Sequence, residues 1–461
     1  MVGLLIAGIV VIAAGYLIGK KCYAPAVFFF AGGIMLAVAH LLGMKPLLDP
    51  KLSMNIFVFD LFDVIRRAFS GRMPNLGLVI MSIAGFSKLM DHIKASDALF
   101  AVVSAPLRRI ENPYILLMAS FWVIQFLSIF IPSAAGLSVL LMVTIYPILV
   151  RKGVSRLSAL AIIGTARTLT IGPASPNMIF GSNLLKMDVG TYFIEYQLPL
   201  LGPLLLILFV SEFFTQRFWD KKEGPDLEGI NALEGLKEYD GSTMPPRFYA
   251  LLPLLPLVLI VVCSPIVTSY FSLPKIKLDV ATAMFMSIFI SVSIEMVRKL
   301  SVGPVLASMK PLFEQMGKTF GLVIVLIIAA EVFAKGIMNL GAISTMVDAA
   351  KSAGFGIKVL TVCACLIVFG SAFLMGSGNA AFFAFAALVP DVAATFAIPG
   401  IFIMMPIDFM SAFGRTMSPV FGATVATSGM AGTSPFTLAK RQAIPCLLLM
   451  IFCPILTFLI L

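Results

Sequence analysis

Met375-Gly376-Ser377-Gly378-Asn379-Ala380-Ala381 interrupts an apolar run over 355–397. Two glycines around a serine, followed by an asparagine, are turn chemistry. The flanks are Leu, Val, Phe, Ala and Cys, the material of membrane helices, which need about 20 apolar residues to cross the hydrocarbon. A helix broken at that depth frees backbone N–H and C=O groups that lipid cannot satisfy. Such a break survives only where protein or a water-filled cavity covers it. The stretch therefore reads as the tip of a re-entrant helical hairpin facing a wet pocket.

Three more stretches share the pattern: Ile131-Pro132-Ser133-Ala134-Ala135-Gly136, Ile171-Gly172-Pro173-Ala174-Ser175-Pro176-Asn177 and Gly414-Arg415-Thr416-Met417-Ser418-Pro419. They give a hairpin over about 112–150, a broken helix over about 155–188, a second hairpin over about 355–397 and a second broken helix over about 399–433. Full-length spans are expected at 2–19, 22–43, 74–93, 191–217, 248–271, 278–297, 319–338 and 441–461. The mixed segments 44–72 and 300–318 read as helices lying in the interface.

Composition agrees. Sixty per cent of the 461 residues are apolar and 12% are charged, against roughly 25% charged in an average soluble domain. That excludes a soluble enzyme, a nucleic-acid binder and a disordered chain. The net charge of +10 fits basic loops beside anionic headgroups. The six cysteines lie in or beside apolar runs and read as small core hydrophobes, with no disulfide framework and no metal spacing. Lys20 and Lys21 follow the first apolar run instead of preceding it, so that run reads as a retained span, not a cleaved leader.

The pattern occurs twice. Gly77-Leu78-Val79-Ile80 recurs as Gly321-Leu322-Val323-Ile324, and Arg167-Thr168-Leu169-Thr170 as Arg415-Thr416-Met417-Ser418. Residues 1–217 form one repeat and 248–461 the other, joined by a charged, Gly- and Pro-containing cytoplasmic linker over 218–247. Each half then has five crossings plus one hairpin. An odd number of crossings inverts the second half and leaves both termini outside, in the periplasm. Lys and Arg then favour the cytoplasmic side by nearly two to one, as positive-inside topology requires.

Broken helices in corresponding places of inverted halves mark a transporter's central site. Half-helix N-termini offer free N–H groups and partial positive charge, so the guest is an anion. Ser133, Gly136, Ser138, Arg167, Thr168, Ser175 and Asn177 are expected to line one half of the site. Ser377, Gly378, Asn379, Arg415, Thr416 and Ser418 line the other. Arginine holds a carboxylate through paired hydrogen bonds, and one per half suits a dicarboxylate. Equally, each could tie down loose carbonyls of its own broken helix. Glu331 and Asp408 lie in apolar spans and are candidates for proton coupling, with Glu331 alternatively paired to Lys335 at i+4.

Pro132-Ser133-Ala134-Ala135-Gly136-Leu137-Ser138, Gly376-Ser377-Gly378-Asn379-Ala380-Ala381-Phe382-Phe383, Gly414-Arg415-Thr416-Met417-Ser418-Pro419-Val420, Gln216-Arg217-Phe218-Trp219-Asp220-Lys221-Lys222-Glu223 and Ser434-Pro435-Phe436 together resemble the anaerobic C4-dicarboxylate carrier family, DcuC. The resemblance spans nearly the whole chain. It implies a secondary transporter of succinate, fumarate, malate or aspartate in the bacterial inner membrane, working by exchange, efflux or uptake. It also implies membership of the ion transporter superfamily, in which a scaffold domain and a transport domain with two hairpins move as an elevator, often within a homodimer. Ala166-Arg167-Thr168-Leu169-Thr170 departs from a stretch that is mostly small and apolar in that family, which points to a shifted substrate preference.

The expectation is therefore an all-α polytopic membrane protein with scaffold and transport domains. It needs no cofactor beyond a coupling proton or sodium ion, and its partners are the bilayer, a small dicarboxylate and a second copy of itself, not nucleic acid. Amino acids or other organic anions are the alternative cargo, and a passive anion channel is a weaker one. An intramembrane serine hydrolase at Gly376-Ser377-Gly378 would need a base within reach of the serine, and His40 and His92 are both far away in sequence.

Overall fold

Local chemistry starts the helices. Asn112 caps the helix that opens with Pro113, its Oδ1 accepting from the amides of Tyr114 at 3.1 Å and Ile115 at 3.2 Å. Ser155, Asp279 and Ser434 cap three others in the same way. The computed structural model describes residues 2–20, 22–44, 46–48, 51–131, 134–169, 171–172, 175–224, 245–263, 278–342, 345 and 356–461. Among these the regular structure is entirely helical. Seven helices are long and apolar enough to cross a membrane, or up to eight if one bent pair counts as a single span. Most of the 218–247 linker lies outside the described residues.

In chain order the main helices are α1 (Val2–Gly19), α2 (Ala24–Leu41), α3 (Phe57–Arg72), α4 (Leu78–His92), α5 (Ala95–Ser104), α6 (Pro113–Phe130), α7 (Ala134–Arg151), α8 (Arg156–Thr165), α9 (Pro176–Leu184) and α10 (Leu198–Glu223). They continue as α11 (Leu255–Val262), α12 (Val280–Lys299), α13 (Lys310–Thr319), α14 (Val325–Asn339), α15 (Ile357–Met375), α16 (Gly378–Ala386), α17 (Val389–Thr395), α18 (Ile401–Met417), α19 (Gly422–Met430) and α20 (Pro435–Ile460). Wide-turn π segments precede α4 (Met73–Gly77), α10 (Tyr192–Gln197) and α14 (Phe320–Ile324). Matched lengths recur: α4 and α14 have 15 residues each, α9 and α19 have 9, and α10 and α20 have 26.

The chain divides into two compact units. The first is Met1–Leu76, Thr168–Lys222 and Leu322–Leu461. In it α2 lies along α14, α3 rests on α14, and α16 packs against α14, α15 and α18. The α2–α14 crossing is close because a Cβ on Gly32 would come within 2.8 Å of the Phe333 backbone. Small residues let helix backbones touch in this way inside membranes. The second unit is Gly77–Arg167 and Glu223–Gly321. There α4 packs on α12 and α13, α11 on α12, and α6, α7 and α8 on one another. Tyr249 donates to buried Glu295, which also pairs with Arg298 at 2.9 Å and Lys299 at 2.8 Å.

Three of the four expected interruptions fall at helix breaks bounded by described residues: α8 ends at Thr165 and α9 starts at Pro176, α15 ends at Met375 and α16 starts at Gly378, and α18 ends at Met417 and α19 starts at Gly422. Of the first, Pro132 and Ser133 lie outside the described residues, while α6 ends at Phe130 and Ala134, Ala135 and Gly136 belong to α7. The fourth begins at Ser418, because α18 continues through Gly414, Arg415 and Thr416 to Met417. Ser418 precedes Pro419, which disfavours helical geometry there.

Three surface expectations change. Segment 57–72 is amphipathic, but Asp60 and Asp63 are buried while Phe59 and Phe62 are exposed, so its acids face protein. Ser53 and the Met54 amide bond Asp60, and Arg66 and Arg67 bond Asp63. Lys440 and Arg441, at the expected start of the last span, lie well inside α20, which begins at Pro435, and Arg441 is 2% exposed. Arg441 Nη1 reaches Asp220 at 2.7 Å on α10, whose helix carries the charged residues Arg217 to Glu223 past the expected end of the span. Among the cysteines, Cys365, Cys446 and Cys453 are buried, whereas Cys22 and Cys363 are exposed.

Candidate substrate site

The site in the first unit is built on the α15–α16 hairpin. Gly376 holds φ +63, the left-handed conformation that lets the chain reverse. Ser377 then caps α16, accepting from the Ala380 amide at 3.4 Å. The tip lies directly against α18 and the interruption after it. A Cβ on Gly376 would meet Val420 carbonyl atoms at 2.9 Å, and one on Gly378 would meet the Ser411 carbonyl oxygen at 2.8 Å and Arg415 Cδ at 3.5 Å. The N-terminus of α16, with Ser377, Gly378 and Asn379, thus stands beside Arg415. Asn379 and Ser377 are partly exposed.

Arg415 occupies the last turn of α18, where the helix dipole favours a cation. Its guanidinium carbon is 5.2 Å from the centre of the Phe421 ring. Its Nε is buried with no hydrogen-bond partner among the described residues. Thr416, one residue on, donates to Ala412 O at 2.9 Å and accepts from Thr168 Oγ1 at 3.1 Å. The two threonines of the repeated Arg-Thr motif therefore meet. Ser418 is fully buried and shapes the interruption: its amide bonds Arg415 O and its Oγ accepts from the Val420 amide.

Ser175 precedes α9, and Asn177 lies in its first turn. Asn177 Nδ2 donates to Asp408 Oδ1 at 2.9 Å and to Ser411 Oγ at 3.4 Å. Hence Thr168, Asn177, Asp408, Gly378, Arg415 and Thr416 belong to one neighbourhood around α18. Asp408 is buried and adjoins the residues expected to bind substrate.

In the second unit Ser138 is buried in α7, and Gly136 falls in the first turn of that helix. Ser133 lies outside the described residues. Arg167 Nε donates to Ile163 O at 3.0 Å, so it ties down a carbonyl of α8. Glu331 pairs with Arg72 at 2.6 Å, not with Lys335. Arg72 in turn sits 5.7 Å from the Phe180 ring, which stacks edge-on to Phe383 of the hairpin. Sequence reading missed Arg72, Ser411 and Tyr192. Arg72 and Ser411 meet partners more than two hundred residues away, the Tyr192 hydroxyl has no hydrogen-bond partner among the described residues, and no motif surrounds any of the three.

Comparison with known proteins adds the family. The model of the C4-dicarboxylate anaerobic carrier family, DcuC, matches residues 2–461. The chain belongs to the DcuC family. It is 33% identical over 449 residues to a Vibrio cholerae protein named probable anaerobic C4-dicarboxylate transporter DcuC, covering 97% of this chain and 95% of the relative. It is 30% identical over 444 residues to the Escherichia coli K12 anaerobic C4-dicarboxylate transporter DcuC, covering 96% and 94%. Its fold resembles two solved transporters. One is Alcanivorax borkumensis YdaH, with TM-score 0.63, 15% identity, and coverage of 94% of this chain and 98% of that one. The other is Neisseria gonorrhoeae MtrF, described as one of a class of antimetabolite efflux pumps, with TM-score 0.63, 14% identity and 96% coverage of both chains. A DcuC-family chain is a multi-pass membrane transporter and not an enzyme.

Proposed function

We propose that the protein carries C4-dicarboxylates such as succinate, fumarate, malate or aspartate across the bacterial inner membrane by secondary active transport. The observation that carries this reading is Arg415. Its buried Nε lacks an acceptor among the described residues, and it stands beside the capped N-terminus of α16. A guanidinium in a membrane span is costly unless something neutralises it, and a carboxylate of the cargo does so. One carboxylate binds Arg415 and the α16 amides. Ser377 and Asn379, both partly exposed at the tip, offer neutral hydrogen bonds beside it.

In this reading residues 1–217 and 248–461 are inverted repeats, each with five crossings and one hairpin. Matched helix lengths support it, as do matched packing partners. In the first unit α2 packs with α14 and α3 with α14; in the second α12 packs with α4 and α13 with α4. Each unit thus combines the opening helices of one repeat with the hairpin of the other. Scaffold and transport domains move as an elevator within a homodimer, with both termini in the periplasm.

Counterflow in proteoliposomes tests the cargo. Vesicles preloaded with succinate should accumulate labelled fumarate, malate or aspartate and ignore a basic amino acid. Uptake of the basic amino acid at an equal rate, with no dicarboxylate exchange, would overturn the assignment.

A further inference from the structure

Behind the hairpin tip, three elements of the first unit converge: the start of α9, the π turn Tyr192–Gln197 and the middle of α18. Asn177, Asp408 and Ser411 form one hydrogen-bonded buried cluster, and the Tyr192 hydroxyl lies near enough to interact electrostatically with Asp408. Asp408 is 7% exposed, Asn177 8%, and Ser411 and Tyr192 fully buried. Asn177 Nδ2 donates to Asp408 Oδ1, while Ser411 Oγ donates to the Asp408 carbonyl at 2.7 Å. Two oxygens of the cluster stay unmatched among the described residues: Asn177 Oδ1 and the Tyr192 hydroxyl. Gly181 makes the room, since a Cβ there would come 3.0 Å from the Tyr192 hydroxyl and 3.2 Å from Met404 Cγ.

Such an arrangement is expensive without a guest. A buried carboxylate with no counter-ion and buried oxygens with no partner each oppose folding until a guest satisfies them. The nearest cationic side chain along α18 is Arg415, about two helical turns away. The cluster offers a carboxylate, an amide oxygen, a hydroxyl and a phenol. All are hard oxygen donors, carrying one negative charge in total. A divalent ion would leave an uncompensated charge inside the membrane, whereas a monovalent ion leaves none. A proton on Asp408 is the rival occupant, and a response to pH without a response to sodium would reveal it.

We propose that Asp408, Asn177, Ser411 and Tyr192 bind a sodium ion, and that its occupancy is coupled to dicarboxylate binding at the hairpin tip. The link is Ser411. Its side chain belongs to the cation cluster, and its backbone carbonyl is the surface on which Gly378 rests. An ion that fixes this turn of α18 also fixes the seat of the tip and the position of Arg415. The coupling half of the proposal rests on the substrate site assigned above, but the ion site does not.

The test uses full-length protein. Binding of labelled sodium is measured in detergent, and binding of labelled succinate is titrated with sodium at constant ionic strength, with choline as replacement. Sodium should bind saturably and raise succinate affinity by about tenfold, within the usual range of coupling, with succinate raising sodium affinity by the same factor. Asp408→Asn should abolish the sodium response in protein that remains monodisperse. The conservative Tyr192→Phe should raise the sodium concentration for half-response several-fold. Succinate binding that is indifferent to sodium and depends on pH alone would overturn the proposal, as would a sodium response unaltered in both variants. Saturable sodium binding without any succinate binding would preserve the ion site and reject the cargo.

Discussion

Replacing Gly376 by alanine probes the hairpin tip directly. Gly376 has φ +63, where an L-residue suffers a steric cost of about 1–2 kcal/mol. The added Cβ would also stand 2.9 Å from Val420 C and O and 3.0 Å from Phe421 N, all backbone atoms. Overpacking of that kind costs about 1–3 kcal/mol. The sum, about 2–5 kcal/mol, is a large part of the roughly 5–15 kcal/mol that holds a typical domain folded. Relief can come by moving the tip away from the 418–421 interruption, which drags Ser377 and Asn379 from Arg415. Gly370→Ala, on α15 of the same hairpin, is the control, because a Cβ there meets nothing within 4 Å and alanine favours a helix by about 1 kcal/mol. Thermal unfolding in detergent and succinate counterflow are measured on both. Gly376→Ala should lose most of its counterflow and unfold at lower temperature, while Gly370→Ala matches or exceeds the wild type. Equal behaviour of the two variants would refute the placement of the tip.

The Thr168–Thr416 hydrogen bond should appear in a double-mutant cycle with valine as a coupling of about 0.5–1.5 kcal/mol, read from unfolding in detergent; zero coupling would mean the threonines do not meet. Asp220→Ala takes the carboxylate partner from the buried Arg441 guanidinium, leaving the neutral Gln216 oxygen at 3.4 Å, and should destabilise by about 3–5 kcal/mol, with much of the loss recovered when Arg441→Met is added. Hydrogen bonds from Arg67, and then Arg66, hold the Asp63 carboxyl below its usual range. That stabilisation is present above the ordinary carboxylate pKa and fades as pH falls through the lowered value. The difference in Tm between wild type and Asp63→Asn should therefore be full at neutral pH and shrink below about pH 4; a difference that grows on acidification would contradict the pairing.

The interruptions were legible in the sequence because Gly and Pro act locally. Gly376, Gly172 and Pro419 fix backbone geometry whatever surrounds them, and lipid makes every break conspicuous. Their extent was less legible. Arg415 and Thr416 stay helical because α18 carries its hydrogen bonds on to Met417, a tertiary outcome that composition does not encode. Charge misled in a consistent way. Lys440-Arg441 and Asp220 look like loop ends, yet Arg441 and Asp220 neutralise each other between two helices. Asp60 and Asp63 belong to a segment read as interfacial, and local serine and arginine donors let them turn inward. Glu331 has Lys335 one turn away on its own helix, but its ion-pair partner, Arg72, precedes it by 259 residues. Pairings at such separations follow from the fold and leave no periodic trace.

The most direct measurement is a density map of the protein with succinate bound. The ligand should lie at the N-terminus of α16, with one carboxylate against Arg415 and within hydrogen-bond reach of Ser377 or Asn379. Density for succinate at any place remote from Arg415 and the hairpin tip would contradict the account.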